Sequence, residues 1–282
     1  MNARKRSWLA EHSRLLFEAL RRAKEHQASL FAAGVAFFVF LSLFPGILGA
    51  VFAYGLIADA ETIARHGEQL ARLLPAEAAP IVTSQLDEIA ADPPSKLGGG
   101  VIVAVVVALY SASRGAFHLL RAVQWMFGLD RVRNTVRQRL VAMSMLAGAF
   151  FFFVVSVGLL AVIPPILSFF ELDEAWIILR RGRWLFLGAI VVTSIGLLFR
   201  LAAGESIRPR TLVSRGVIAA SVLWIVISFG FSIYVDTFAD YSATYGTLTG
   251  VVVLMTWIWV STIAILFGAA YETVYDEAER GP

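Results

Sequence analysis

Residues 30–57 read LFAAGVAFFVFLSLFPGILGAVFAYGLI, with no charged side chain from Leu30 to Ile57. A helix needs about 20 apolar residues to cross a hydrocarbon core of roughly 30 Å, so this stretch is long enough to span a membrane. Ala58-Asp59-Ala60 follows it and superficially resembles a signal-peptidase site. A secretory apolar region runs only about 7–15 residues, however, and the long basic segment before Leu30 is foreign to it. Residues 30–57 therefore read as an uncleaved first helix. Five further apolar stretches follow: Leu97–Ser113, Leu140–Leu167, Trp184–Ala203, Gly216–Val235 and Thr247–Ala270. Leu97–Ser113 is at the lower limit of length and is expected to borrow a turn from Gly115–Leu120. Nothing resembles the alternating ~10-residue segments of an outer-membrane barrel. The expected fold is all-α, a polytopic membrane bundle of six transmembrane helices.

Composition agrees. Hydrophobic residues make up 58% of the 282 and charged residues 16%, against about 25% charged in soluble domains. Basic residues fall in alternate connections. Arg4, Lys5, Arg6, Arg14, Arg21, Arg22 and Lys24 precede the first span, and Arg114, Arg121, Arg131, Arg133, Arg137 and Arg139 follow the second. Arg208, Arg210 and Arg215 follow the fourth. Segment 58–96 instead carries seven acids and three bases. Positive residues stay in the cytoplasm during insertion, which gives both termini cytoplasmic. Loop Phe169–Arg183, with Arg180, Arg181 and Arg183, fits this arrangement least well. The domain reading is a basic cytoplasmic segment 1–29, a membrane domain 30–270 with an outer loop 58–96, and a short cytoplasmic tail 271–282. The net charge of +3 is thus a topology signal, and no nucleic-acid partner is expected.

Outside the spans, Arg14–Ala28 groups Leu15, Leu16, Ala19 and Leu20 on one side of a basic segment. That pattern suits a helix at the cytoplasmic interface, its cations toward anionic lipid. In the outer loop, Ala60–Leu74 and Ile81–Ala90 have helical apolar spacing and are expected to cap the bundle.

A search for chemistry yields nothing catalytic. His12, His26, His66 and His118 lack partners at zinc-binding spacing, and there is no nucleophile elbow or phosphate loop. With no cysteine, neither a thiolate metal site nor a disulfide framework is available. No catalytic residue, metal or cofactor is expected, and the chain does not read as an enzyme.

Unusual residues within or beside the spans mark a candidate lipid or substrate path instead. Ser42 and Pro45 lie midway along the first span, where proline removes a backbone hydrogen bond that must be satisfied inside the protein. Ser111 and Arg114 end the second span, and Arg121 and Arg133 follow. Asp236, Tyr241, Tyr245 and Gly246 lie between the last two spans. Trp257 and Trp259 are deeper than an interfacial belt places them, and are expected to pack inside the bundle. Small-residue steps such as Gly246–Gly250 and Ser228–Ser232 would pack helices within one chain or in a homo-oligomer.

Ala32–Pro45 with its Ser-Leu-Phe-Pro, Tyr110–Gly115 with its Ser-Ala-Ser-Arg-Gly, and Tyr241–Gly246 running on to Trp257 and Gly268-Ala269 together resemble the YihY/BrkB family of bacterial inner-membrane proteins, once labelled ribonuclease BN. The likeness covers nearly the whole membrane domain, 30–270. Two departures are visible. The family usually has asparagine where this chain has Gln124, and a Gly-Ala-Glu where it reads Gly268-Ala269-Ala270, with Glu272 about 200° further around the helix. The resemblance implies a multi-pass inner-membrane protein with a link to envelope lipid handling and serum resistance. Two roles follow. One is passive or gradient-led transport or flipping of an anionic lipid or lipopolysaccharide precursor, since no span carries the central charge that marks a coupled ion pathway. The other is a non-transporting scaffold or regulator that docks envelope proteins.

Overall fold

The computed structural model describes residues 2–57, 94–129, 135–157, 173–203, 212–238 and 247–280. Among them every regular element is a helix. In chain order these are α1 (Asn2–Glu25), α2 (Ala28–Ile57), α3 (Pro94–Met126), α4 (Thr135–Val157), α5 (Asp173–Ala203), α6 (Arg215–Phe238) and α7 (Thr247–Arg280). The outer-loop helices expected within 60–90 lie outside the described residues.

Several helices outrun their apolar stretches. α3 continues well past Ser113, not by one turn but to Met126. α5 begins at Asp173, so Arg180, Arg181 and Arg183 lie on a helix rather than in a loop. α7 runs through Ala270 to Arg280. The physical reason is common to all three: backbone hydrogen bonds within a helix do not depend on hydrocarbon, so helices continue where hydropathy ends. By length and composition, three helices among the described residues can cross a membrane: Ile102–Met126, Arg215–Val235 and Thr249–Arg280. A fourth crossing counts if the bent pair Ser13–Glu25 and Ala28–Leu43 is one span, and Leu187–Ala203 is a shorter apolar helix. The chain is an all-helical, multi-pass membrane protein.

The chain divides into two compact units, one of Met1–Phe37 with Gly115–Pro282 and one of Phe38–Arg114. In the first unit, α6 and α7 make the most extensive helix pair, and α1 also packs on α7. Small residues allow the close approach. A β-carbon on Gly268 would collide with that of Ala220 and come within 2.6 Å of the Gly216 carbonyl oxygen. Leu120, Val123, Met126, Val217 and Leu266 are the largest fully buried side chains of the surrounding core. The anticipated Gly246–Gly250 step is different. Gly246 lies outside the described residues, and a β-carbon on Gly250 would meet nothing within 4 Å.

The apolar face of α1 is only half covered. Leu15, Ala19 and Ala23 are buried, whereas Leu16 and Leu20 are exposed. The helix ends at Gln27, whose φ of 54° is left-handed. Gln27 closes one helix and opens the next: its N–H donates to the Lys24 carbonyl (3.0 Å), and its own carbonyl accepts from Leu30 and Phe31 (3.0 and 3.2 Å). α2 leaves at 62° to α1. In the second unit, α2 continues through Pro45 to Ile57.

Candidate functional site

Among the described residues lies an apolar cavity of about 510 Å³ in the first unit, within the roughly 300–1,000 Å³ span of ligand pockets. Five helices line it. Leu119 comes from α3, Met145 and Gly148 from α4, Ser194, Leu198 and Leu201 from α5, Trp224 from α6, and Trp257 and Ile265 from α7. Trp224 and Trp257 meet edge-to-face, with ring centroids 6.1 Å apart. Gly148 keeps the wall of α4 thin, since a β-carbon there would meet nothing within 4 Å. Two exposed cations are near lining residues in sequence: Arg121 follows Leu119 by two positions and Arg200 precedes Leu201 by one.

Around this cavity, polar groups fix the helices to one another. Gln138 Nε2 donates to Gln124 Oε1 at 3.0 Å, and Gln124 Nε2 donates to the Ala202 carbonyl at 3.4 Å. Both glutamines are buried, so the pair ties α4 to α3 and α5 where neither could be solvated. Gln124 thus acts as a structural link among three helices.

α3 ends in a Schellman arrangement: Leu129 N–H reaches the Gln124 carbonyl and Gly128 N–H the Trp125 carbonyl, both at 3.0 Å, with Gly128 at φ 72°. That pattern uses two terminal carbonyls and leaves the one at Met126 for other donors. Arg22 Nε (3.0 Å) and Thr273 Oγ1 (3.1 Å) supply them. Arg22 Nη1 also donates to Glu277 at 2.9 Å. A cation at a helix C-terminus complements the macrodipole.

The start of α6 is held in the opposite sense. Ser214 Oγ accepts from Val217 N–H at 3.3 Å, and Glu272 Oε2 accepts from Gly216 N–H at 2.5 Å. Arg215 lies 3.8 Å over the Tyr275 ring and 3.6 Å from Glu279. The departure at Gly268-Ala269-Ala270 is therefore answered one turn on. Gly268 and Glu272 share a face, so the glycine that lets α6 approach also brings the carboxylate to its N-terminus. That four-residue spacing was the sequence signal that could have found it.

The sequence-chosen path residues are dispersed. Ser42, three residues before Pro45 on α2, donates to the Val39 carbonyl at 2.6 Å. Ser111 is buried. Arg114 lies 5.4 Å over both the Phe38 and Tyr110 rings and donates to Tyr110 Oη at 3.0 Å. These four belong to the second unit. Arg121, in the first, lies 5.9 Å over Phe117. None of the five lines the cavity. Asp236 falls near the end of α6; Arg133, Tyr241, Tyr245 and Gly246 lie outside the described residues. Of the two deep tryptophans, Trp257 faces the cavity and Trp259 Nε1 donates to the Ser29 carbonyl at 3.0 Å. Sequence reasoning missed Gly148, Ser194 and Trp224, which carry no motif and converge only through tertiary packing. Among the described residues, no group of three or more His, Cys, Asp or Glu could hold a metal ion.

Comparison with known proteins gives these features a lineage. A ribonuclease-like protein of Bacillus subtilis, YfkH, is 28% identical over 278 residues, covering 95% of this chain and 97% of that protein. UPF0761 membrane proteins match over shorter stretches: one from Stenotrophomonas maltophilia is 32% identical over 32% of this chain and 23% of its own length. One from Xanthomonas campestris is 29% identical over 29% of this chain and 19% of its own. No solved structure matches. Residues 19–282 match the family described as virulence factor BrkB, from the middle of α1 to beyond α7, and the chain belongs to that membrane-protein family.

Proposed function

We propose that this protein moves an anionic lipid or envelope precursor across the bacterial inner membrane, passively or down a gradient, without catalysing a reaction. The observation that carries the reading is the apolar cavity between α3, α4, α5, α6 and α7. Its lining suits an acyl chain: one wall is a thin glycine face, and the Trp224–Trp257 pair gives another a broad aromatic surface. Arg121 and Arg200, both exposed and near lining residues in sequence, would attract an anionic headgroup. In this reading Ser42, Pro45, Ser111 and Arg114 mark a bendable part of the path within the second unit, and Arg133, Asp236, Tyr241, Tyr245 and Gly246 belong to its entrance and exit. The basic residues support the accompanying topology of six spans with both termini in the cytoplasm. Segments 1–29 and 271–282 are then the cytoplasmic flanks of a 30–270 membrane domain. The ribonuclease-like name belongs to the Bacillus relative, and no ribonuclease activity is proposed here.

The test is flipping of a fluorescent phosphatidylglycerol in proteoliposomes, followed by dithionite bleaching. Wild type is compared with Gly148→Trp, which fills the cavity where the backbone leaves open space, and with Arg121→Gln. Flipping by wild type that Gly148→Trp abolishes and Arg121→Gln slows supports the reading. Wild type no faster than empty liposomes, or a folded Gly148→Trp variant as fast as wild type, overturns it.

A further inference from the structure

α1 has a second apolar strip besides the one it buries. At about 100° per residue, its circumference runs from buried Leu15, Ala19 and Ala23 to Leu16, Leu20 and Phe17. These last three are 46%, 59% and 69% exposed. Lys24 falls within this strip, between Leu20 and Phe17, and beyond Phe17 come Arg21 and Arg14, then Glu25 and Glu18. The core thus gives way to an apolar strip holding one cation, then to arginines and then to acids, an arrangement suited to a bilayer surface.

Two further observations set the level. Arg22 bonds Glu277, seven residues beyond Ala270, where the apolar stretch of α7 ends. That places the contact about 10 Å past it along the helix. α2 then departs at 62°, carrying exposed Leu30 and Phe37. Arg14 and Arg21 do pair with Glu18 and Glu25 (2.9 and 3.3 Å), but all four are solvent-facing. Exposed pairs of this kind are weak and leave the guanidinium groups open to phosphate.

We propose that α1 is an interfacial helix that binds the surface of an anionic lipid leaflet. Leu16, Phe17 and Leu20 are seated at the acyl–headgroup boundary, and Lys24, Arg21 and Arg14 engage lipid phosphates. The cations give the surface its charge preference. This surface is separate from the apolar cavity and stands whether or not the cavity conducts lipid.

The absence of cysteine makes the test direct. Phe17→Cys, Leu20→Cys, Glu18→Cys and Glu25→Cys, each alone, are labelled with an environment-sensitive fluorophore in the full-length protein. They are reconstituted in phosphatidylcholine vesicles with or without phosphatidylglycerol. Labels at 17 and 20 should show blue-shifted emission, strong quenching by shallow doxyl-lipid, and iodide quenching several-fold weaker than at 18 and 25. In anionic vesicles, adding Arg21→Gln and Lys24→Gln should reduce the shielding, with no change in neutral ones. Equal iodide quenching at all four positions would mean a solvated helix and overturn the proposal. Stronger quenching by deep than by shallow doxyl-lipid would mean α1 and α2 form one broken span. Disulfide formation between Phe17→Cys copies, with no lipid quenching, would mean a second protein molecule covers the strip.

Discussion

Replacing Gly268 by alanine should loosen the α6–α7 pair. The added carbon would collide with Ala220 Cβ, lie 3.0 Å from Ala220 Cα and come within 2.6 Å of the Gly216 carbonyl oxygen. Non-bonded heavy atoms settle at about 3.5–4.0 Å, so the two helices must part by roughly 1 Å. Two of the three opposing atoms are backbone, which cannot rotate aside. Overpacking of this kind costs about 1–3 kcal/mol. Parting the helices also stretches the 2.5 Å bond from Gly216 N–H to Glu272, and hydrogen bonds to charged groups contribute about 1.5–3 kcal/mol. Helix propensity returns about 1 kcal/mol when glycine becomes alanine, so the net loss should be about 2–4 kcal/mol. Gly148→Ala is the matched control, because its new carbon meets nothing within 4 Å, and it should gain up to about 1 kcal/mol. Reversible unfolding in mixed micelles of mild detergent and dodecyl sulfate compares the two. Gly268→Ala unfolding at or above the wild-type midpoint would refute the close contact. Equal loss in both variants would show that any glycine change in these helices destabilises, whatever it touches.

Other expectations follow from single contacts. Gln138→Leu strands a buried Gln124 oxygen and should cost about 1–3 kcal/mol. The double change with Gln124→Leu should recover most of it, and a double variant worse than the single would refute the link. Gln27 holds a left-handed backbone with an exposed side chain, so Gln27→Gly should raise stability by about 1 kcal/mol. A lower unfolding midpoint would show that the side chain matters more than the backbone. Glu272→Gln keeps the shape of the α6 cap but removes its charge. It should destabilise by about 1 kcal/mol, less than Glu272→Ala by the same assay.

Much of the fold was legible because apolar length is a one-dimensional property. Residues 30–57 fall wholly inside α2, and Gly216–Val235 wholly inside α6. Helix ends were less legible, since a helix such as α7 keeps its backbone bonded long after Ala270, where hydropathy stops. The split of Leu15 from Leu16 on α1 could not be read from spacing alone, because a wide apolar face does not say which half another helix will cover. The cavity was invisible for a related reason. Gly148, Trp224 and Trp257 are far apart in sequence and individually ordinary, and only packing makes them neighbours. Residues with unusual chemistry, such as Arg114, drew notice instead, and Arg114 is occupied by the aromatic rings of Phe38 and Tyr110.

The clasp at Met126 has a consequence for biogenesis. Its acceptor carbonyl ends α3, one donor comes from Arg22 on α1, and the other, with the carboxylate that steadies Arg22, comes from Thr273 and Glu277 on α7. Ribosomes make α1 first, then α3, and α7 last. α1, α3 and α6 are therefore all synthesised before the residues that fasten them exist, and Glu272, which secures α6, arrives with the same late turns. Until then the nascent bundle relies on lipid and on the insertion machinery to hold its helices near one another. A chain stalled or cleaved before residue 272 would be inserted but unlatched, and quality-control proteases would meet it in that state.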